Sequence, residues 1–167
     1  MMRPHFTDAW AAAMRIFDPN GSTQAKKVAQ IVGGKVAMNI LPEGRPGKWE
    51  NTCSVRMSYI LNQTNVIIPF AAGKTVSGAD GRWYFHYIRD VIAFLKRRWG
   101  PPDEVIPYPR RSSLTGKTGV VLFEVSGWAD ATGHATVWNG ESCYDHCYFY
   151  DPDAAYTTTR ASFWALK

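Results

Sequence analysis

The chain has 167 residues, of which 46% are hydrophobic and 14% aromatic, so it can form one sizeable core and wholesale disorder is excluded. Its formal net charge of +5 indicates either a solvated basic surface or attraction to a polyanion such as nucleic acid, an anionic membrane face or the bacterial cell wall. The sequence has no nucleic-acid motif with interleaved aromatic residues, and no apolar run approaches the ~18 residues of a membrane-spanning helix. We therefore expect neither nucleic-acid binding nor membrane insertion.

The first half of the chain has the patterns of helices. Apolar residues recur at helical spacing over Phe6–Phe17, with Thr7 as the N-cap, and again over Ser22–Val32, which a pair of glycines ends. The same spacing returns over Cys53–Asn62, after a loop rich in proline and glycine. Trp83–Trp99 has a continuous apolar face and stops at a Gly-Pro-Pro sequence.

The second half has the patterns of strands and turns. Apolar, β-branched and aromatic runs predict strands at Gly119–Val125, His134–Trp138, Tyr148–Tyr150 and Ser162–Leu166. Earlier in the chain, Val66–Phe70 predicts one short strand, and Gly73–Gly81 an exposed loop. Helices first and strands second predict a single α+β domain over residues 1–167, with N-terminal helices packed on a C-terminal antiparallel sheet.

Cys53 is the candidate nucleophile because it begins a predicted helix. Asn51 or Thr52 is expected to be the N-cap. Unpaired N–H groups and the positive end of the helix dipole surround a side chain in the first helical turn, and this environment favours the thiolate. A lone cysteine is more often a small buried hydrophobic residue, so a catalytic role requires a base elsewhere in the chain.

His134 is the candidate base, since it opens a predicted strand and a strand end holds a side chain rigidly at a cleft. Asp145 is the candidate residue that orients the imidazole, because its segment follows the turn at Asn139 and folds back towards His134. His146 is the rival base. On their own, Asp145 is typical of a turn and His134 of a structural residue, so the prediction depends on the combination.

Two further residues are candidates for substrate binding. Arg56, one helical turn after Cys53, either adds positive potential to the thiolate or binds a substrate carboxylate; the alternative is a solvated charge on the helix surface. Trp49, four residues before Cys53, is the second candidate.

The other two cysteines leave three alternatives open. In the first alternative Cys143 and Cys147 form a disulfide, and in the second they are reduced thiols, as Cys53 is. In the third they bind zinc together with His146 or His134. The residues Met1–His5 lack the apolar segment of a secretory signal peptide, so the chain is not expected to be a substrate of the general secretory pathway.

Three segments together resemble one known family. The segment WENTCSVRMS at 49–58, the segment GHATVWNG at 133–140 and the segment CYDHC at 143–147 are similar to the cysteine, histidine and acidic motifs of the fourth family of type VI secretion amidase effectors. The three motifs also occur in the same order as in that family.

This resemblance implies a papain-related fold of the NlpC/P60 type, a catalytic triad of Cys53, His134 and Asp145, and a disulfide between Cys143 and Cys147. It implies that bacteria make the protein in the cytoplasm and deliver it through the type VI secretion machinery into the periplasm of a target cell. There it would cut peptidoglycan stem peptides between D-glutamate and diaminopimelate, and a periplasmic immunity protein of the attacker would block it.

We therefore predict a cysteine amidase that needs no metal or organic cofactor. The thiolate attacks the D-glutamyl carbonyl, and backbone N–H groups including that of Cys53 stabilise the oxyanion. The alternatives are a papain-like peptidase or deamidase that acts on protein, and a non-catalytic module that binds the cell wall or is stabilised by zinc.

Overall fold

A computed structural model describes residues 2–167 of the chain. The helices of this part are α1 (Phe6–Ile16), α2 (Gln24–Val32), α3 (Gly34–Ile40), α4 (Cys53–Gln63) and α5 (Ile88–Trp99). Its strands are β1 (Thr75–Ser77), β2 (Trp83–Phe85), β3 (Glu104–Pro107), β4 (Gly119–Ser126), β5 (Gly133–Trp138) and β6 (Thr157–Ala165). Short 3-10 turns lie at Gly21–Thr23 and Arg111–Ser113. None of the helices in residues 2–167 has the length and apolar character that crossing a membrane requires.

The main sheet has four antiparallel strands in the order β3-β6-β4-β5, so β5 lies at one edge. Strands β1 and β2 form a separate hairpin. The helices pack on one face of the main sheet, where Leu122, Val137 and Trp164 belong to the larger apolar core. The opposite face carries a smaller core that includes Phe123 and Trp138. This arrangement confirms the predicted α+β fold.

Helix α4 is the central helix of the molecule. Ten of its eleven residues, Cys53–Asn62, are buried. It packs against α1, α5, β2 and the edge strand β5. Its buried residues include the polar Arg56, Ser58 and Asn62 as well as apolar side chains, and burial on all sides fixes the position of the helix start relative to β5.

Two strand predictions are wrong because the backbone finds partners outside any sheet. The Val66 N–H donates to the Leu61 carbonyl at 2.9 Å, and the Ile68 N–H donates to the Asn62 side chain at 3.0 Å. Val66–Phe70 is therefore bonded to the last residues of α4 and does not pair with a strand.

The segment Tyr148–Tyr150 likewise forms no strand. Its aromatic rings cover the second face of the sheet, with the Phe149 ring centroid 5.2 Å from that of Phe123. An aromatic run therefore serves here as a cover for the smaller core and not as a strand of the ladder.

The helix predictions are confirmed with changed boundaries. Thr7 is not the N-cap of α1, because the helix already begins at Phe6 and His5 precedes it. The helix predicted over Trp83–Trp99 begins only at Ile88, since its first residues form β2 and pair with β1 inside the expected loop. The sequence patterns do not predict α3 or β3.

Candidate active site

Cys53 lies at the start of α4, in the wall of a cleft. Thr52 occupies the N-cap position, but the side-chain hydrogen bond is made by Asn51, whose Oδ1 accepts the Cys53 N–H at 3.1 Å. Only 3% of Cys53 is exposed, yet it lines a cavity of about 300 Å³ that also reaches Tyr87 and Arg89. Cys53 therefore borders the cleft and is shielded from bulk water.

Strand β5 places His134 against this sulfur. His134 pairs with Phe123 of β4, and a Cβ on the preceding Gly133 would lie 2.4 Å from the Phe123 carbonyl oxygen. Glycine is required there because any side chain would force the two strands apart. The buried imidazole interacts with the Cys53 thiol, and each of the two groups shifts the pKa of the other. The imidazole ring centroid lies 4.9 Å from that of Tyr148.

Asp145 lies on the other side of the imidazole, as the sequence predicts. After β5 the chain turns and runs back beside the strand, and the Tyr144 N–H donates to the Val137 carbonyl at 3.0 Å. Asp145 Oδ2 then lies 3.0 Å from His134 Nε2, and Asp145 Oδ1 accepts the Thr136 hydroxyl at 2.6 Å. The Nε2–H is not aligned with an acceptor, so the contact is an ion pair. Because His134 Nε2 faces Asp145, His134 Nδ1 is the ring nitrogen available to the Cys53 thiol.

A disulfide between Cys143 and Cys147 closes a five-residue loop with Asp145 at its centre. Cys53 is the one free cysteine of the described residues. The disulfide prediction is confirmed. The reduced-thiol and zinc alternatives are wrong for this pair, because each sulfur is bonded to the other. So short a loop leaves the Asp145 backbone few conformations, which suits a carboxylate that has to orient a histidine.

Arg56 is buried beneath these groups and is not the solvated charge that an isolated helix arginine suggests. Its Nη1 donates to Asp145 Oδ2 at 2.7 Å and to the Tyr144 hydroxyl at 2.9 Å. Asp145 thus faces two cations, and the side chains of Asp145 and Arg56 are 2% and 9% exposed. The guanidinium is committed to this buried pair.

The electrostatics favour a thiolate beside an imidazolium. Burial raises the pKa of the Cys53 thiol, but the hydrogen bond to His134 and the positive charges of His134 and Arg56 outweigh burial, so the pKa lies below its ordinary value. Burial lowers the pKa of His134, whereas the Asp145 charge and the contact with Cys53 raise it to about 9. Asp145 keeps its charge because the pull of His134 and Arg56 on its pKa exceeds the effect of burial.

A second cavity, of about 340 Å³, lies on the His134 side. His134 and Asp145 line it, and the two cavities share Asn51, Trp128 and Asp130. The Cys53–His134 pair therefore lies between two halves of one cleft.

The remaining candidates lie at the edge of the cleft. Trp49 is half-buried and stacks on His86 with ring centroids 4.9 Å apart, beside a small cavity that adjoins the thiol side. His146 is exposed, whereas His134 is buried against Cys53, so the geometry favours His134 over its rival as the base.

Sequence reasoning missed Thr136 and Trp128. Thr136 is two residues after His134 and so faces the same side of β5, which was a usable signal. Trp128 stands in a loop without a pattern that marks it.

A family model and solved structures both place the chain in one family. The sequence model of the type VI secretion system (T6SS) amidase effector protein 4, Tae4, matches residues 49–164. None of the curated proteins compared with the chain matches it.

Solved structures extend this similarity to the whole chain. The effector in the Tae4–Tai4 effector-immunity complex from Enterobacter cloacae is 36% identical, with a TM-score of 0.87, and the match covers 99% of this chain and 100% of that chain. Tae4 from Salmonella typhimurium, in complex with the immunity protein Tai4 from Enterobacter cloacae, is 34% identical with a TM-score of 0.87 and the same coverage. The chain belongs to the type VI secretion system amidase effector 4 family.

Proposed function

We propose that this amidase effector is a cysteine DL-endopeptidase that cleaves the bond between D-glutamate and diaminopimelate in peptidoglycan stem peptides. The observation that supports it most is the buried line of Cys53, His134 and Asp145, in which the pKa of the thiol is lowered and that of the imidazole is raised to about 9. A thiolate paired with an imidazolium is the activated form of a cysteine nucleophile.

In the first step the Cys53 thiolate attacks the D-glutamyl carbonyl carbon and forms a tetrahedral intermediate. The His134 imidazolium protonates the amine of diaminopimelate as the carbon–nitrogen bond breaks, which leaves an acyl-enzyme and a neutral imidazole. The imidazole then takes a proton from water, and the hydroxide attacks the thioester. The acid departs and the thiolate–imidazolium pair is restored.

The oxyanion needs at least one donor besides the Cys53 N–H. The Cys53 N–H, predicted as a donor, is already bonded to Asn51 Oδ1. That bond orients the Asn51 amide, and Asn51 lines both halves of the cleft. We assign the oxyanion to Asn51 Nδ2, because a side-chain amide held by the helix start is a preorganised donor beside the thiol.

Asn51→Asp is expected to lower kcat by ~10²-fold with little change in KM. Aspartate keeps the oxygen that accepts the Cys53 N–H and favours the helix start, but it lacks the amide donor. Steady-state rates are measured across the pH range, so that loss of the donor is separated from a change in the thiol pKa. A plateau kcat equal to that of the parent would remove Asn51 from the mechanism.

In this proposal Arg56 holds Asp145 and adds positive potential to the thiolate, and it does not bind a substrate carboxylate, because its charge is already paired. Trp49 keeps its proposed role as a substrate contact at the edge of the cleft. We also propose that residues 1–167 act as one amidase domain, without a metal or organic cofactor.

The remaining parts of the proposal concern delivery and control. We propose export from the producing cytoplasm by the type VI secretion machinery into the periplasm of a target cell. A cognate immunity protein is the proposed inhibitor, since the matched structures from Enterobacter cloacae and Salmonella typhimurium are complexes of Tae4 with Tai4.

A digest of purified muropeptides, with casein as a parallel substrate, tests the function. Mass spectrometry should find disaccharide-dipeptide and diaminopimelate-containing fragments as the products, and casein should remain intact. Cleavage of casein alone would support the protein-peptidase alternative, and no cleavage of either would support the non-catalytic module.

A further inference from the structure

The two halves of the cleft differ in charge. Arg89 and His86 line the half that contains Cys53, which we name the Arg89 half. Four carboxylates line the half that contains His134, which we name the acidic half: those of Asp18, Glu50, Asp130 and Asp145. Only that of Asp145 is paired with a lining arginine, Arg56. Asp130 lies at the junction and lines both. A substrate with unevenly distributed charges therefore binds this cleft in one preferred direction.

Arg89 is the cation of its half. It is the second residue of α5, it is exposed, and its guanidinium carbon lies 4.7 Å from the centre of the Tyr87 ring. No carboxylate of residues 2–167 lies within ion-pair distance of it. Stacking on an aromatic ring uses the face of the guanidinium and leaves its N–H edges free for a planar anion.

His86 does not compete with Arg89 for this role. Burial holds the pKa of His86 below its ordinary value. The charge of Asp90 raises this pKa, and the positive charge of Arg89 lowers it. His86 is therefore largely neutral at neutral pH, and the carboxylate that shares the Arg89 half is that of Asp130.

The proposed mechanism assigns the two halves of the substrate to the two halves of the cleft. His134 gives its proton to the leaving amine, so the amine portion lies in the half that His134 lines. The acyl portion then lies in the Arg89 half. In a γ-linked glutamyl residue the α-carboxylate is free, because the side-chain carboxyl forms the scissile amide. In the Arg89 half this free carboxylate is attracted by Arg89.

We propose that Arg89 binds the free α-carboxylate of the γ-glutamyl residue on the acyl side of the scissile bond, and so selects γ-linked substrates that carry this charge. The inference depends on the proposed function, because it assigns a substrate contact within the same cleft. Arg89 is a specificity-determining residue and takes no part in proton transfer.

The test pairs a protein variant with a matching change in the substrate. Two synthetic tripeptides, L-Ala-γ-D-Glu-diaminopimelate and its analogue with the glutamyl α-carboxylate converted to an amide, are cleaved by the parent, by Arg89→Gln and by Arg89→Lys. Arg97→Gln is the control, because Arg97 is an exposed arginine of the same helix outside the residues that line the cleft.

We expect Arg89→Gln to raise KM for the carboxylate substrate about tenfold, with kcat nearly unchanged, which corresponds to ~1.4 kcal/mol. The same variant should cleave the amide analogue as the parent does. For the carboxylate substrate, the KM of Arg89→Lys should fall between the KM of the parent and that of Arg89→Gln, because lysine keeps the charge but loses the planar fork. Equal losses on both substrates, or no loss on either, would overturn the inference while the proposed function stands. Failure of the parent to cleave either tripeptide would overturn both.

Discussion

Replacement of Cys53 with alanine is expected to abolish the cleavage of muropeptides, with a loss of at least ~10⁴-fold in kcat. The proposed reaction forms a thioester on this sulfur, and the only other cysteines of the described residues are bonded to each other. The measurement is product formation by mass spectrometry at enzyme concentrations high enough to detect a residual rate.

The variant should keep its fold, because the substitution removes one sulfur atom from a side chain in the wall of a cavity. Its thermal unfolding midpoint is compared with that of the parent. Cys53→Ser is the matched control, since it has nearly the same size but is a much weaker nucleophile, and it should be equally inactive. Cleavage by folded Cys53→Ala at the rate of the parent would refute the cysteine mechanism.

Asp145→Ala is expected to lower stability and activity for two different reasons. It leaves the buried Arg56 guanidinium without its carboxylate, and orphaning one partner of a buried ion pair costs ~3–5 kcal/mol in the free energy of unfolding. It also removes the group that orients His134 and supports its charge, so kcat should fall by ~10²–10³-fold. His134→Ala should cost more in kcat, because it removes the proton-transfer group itself.

The double variant Asp145→Ala with Arg56→Met separates these effects. Removing the arginine relieves the orphaned charge, so the double variant should regain most of the lost unfolding free energy in urea titrations. It should not regain kcat, since His134 still lacks its partner. Recovery of activity with stability would show that Asp145 acts only through the fold.

The proximity of the three candidate residues could be predicted because the family resemblance names them together and each occupies a position that local rules mark. Cys53 follows a capping residue at a helix start, and His134 follows a glycine that close strand pairing requires. Asp145 follows the turn that sends the chain back along β5. These signals are local in sequence.

The features that could not be predicted depend on distant partners. Arg56 looks like a solvated helix charge until the fold brings Asp145, 89 positions later, into contact with it. Val66–Phe70 has the composition of a strand, but the end of α4 satisfies its backbone. The charge difference across the cleft arises because loops and the start of α5 meet around the thiol, and no single segment of sequence encodes it.

The pH dependence of Cys53 alkylation by iodoacetamide tests the central claim most directly, because Cys53 is the one free thiol of the described residues. The account predicts an apparent thiol pKa below the ~8.5 of a free cysteine. It also predicts a second change in the alkylation rate at about pH 9, as His134 loses its proton, and a higher thiol pKa in His134→Ala. A thiol pKa at or above the ordinary value in the parent, or one that His134→Ala leaves unchanged, would contradict it.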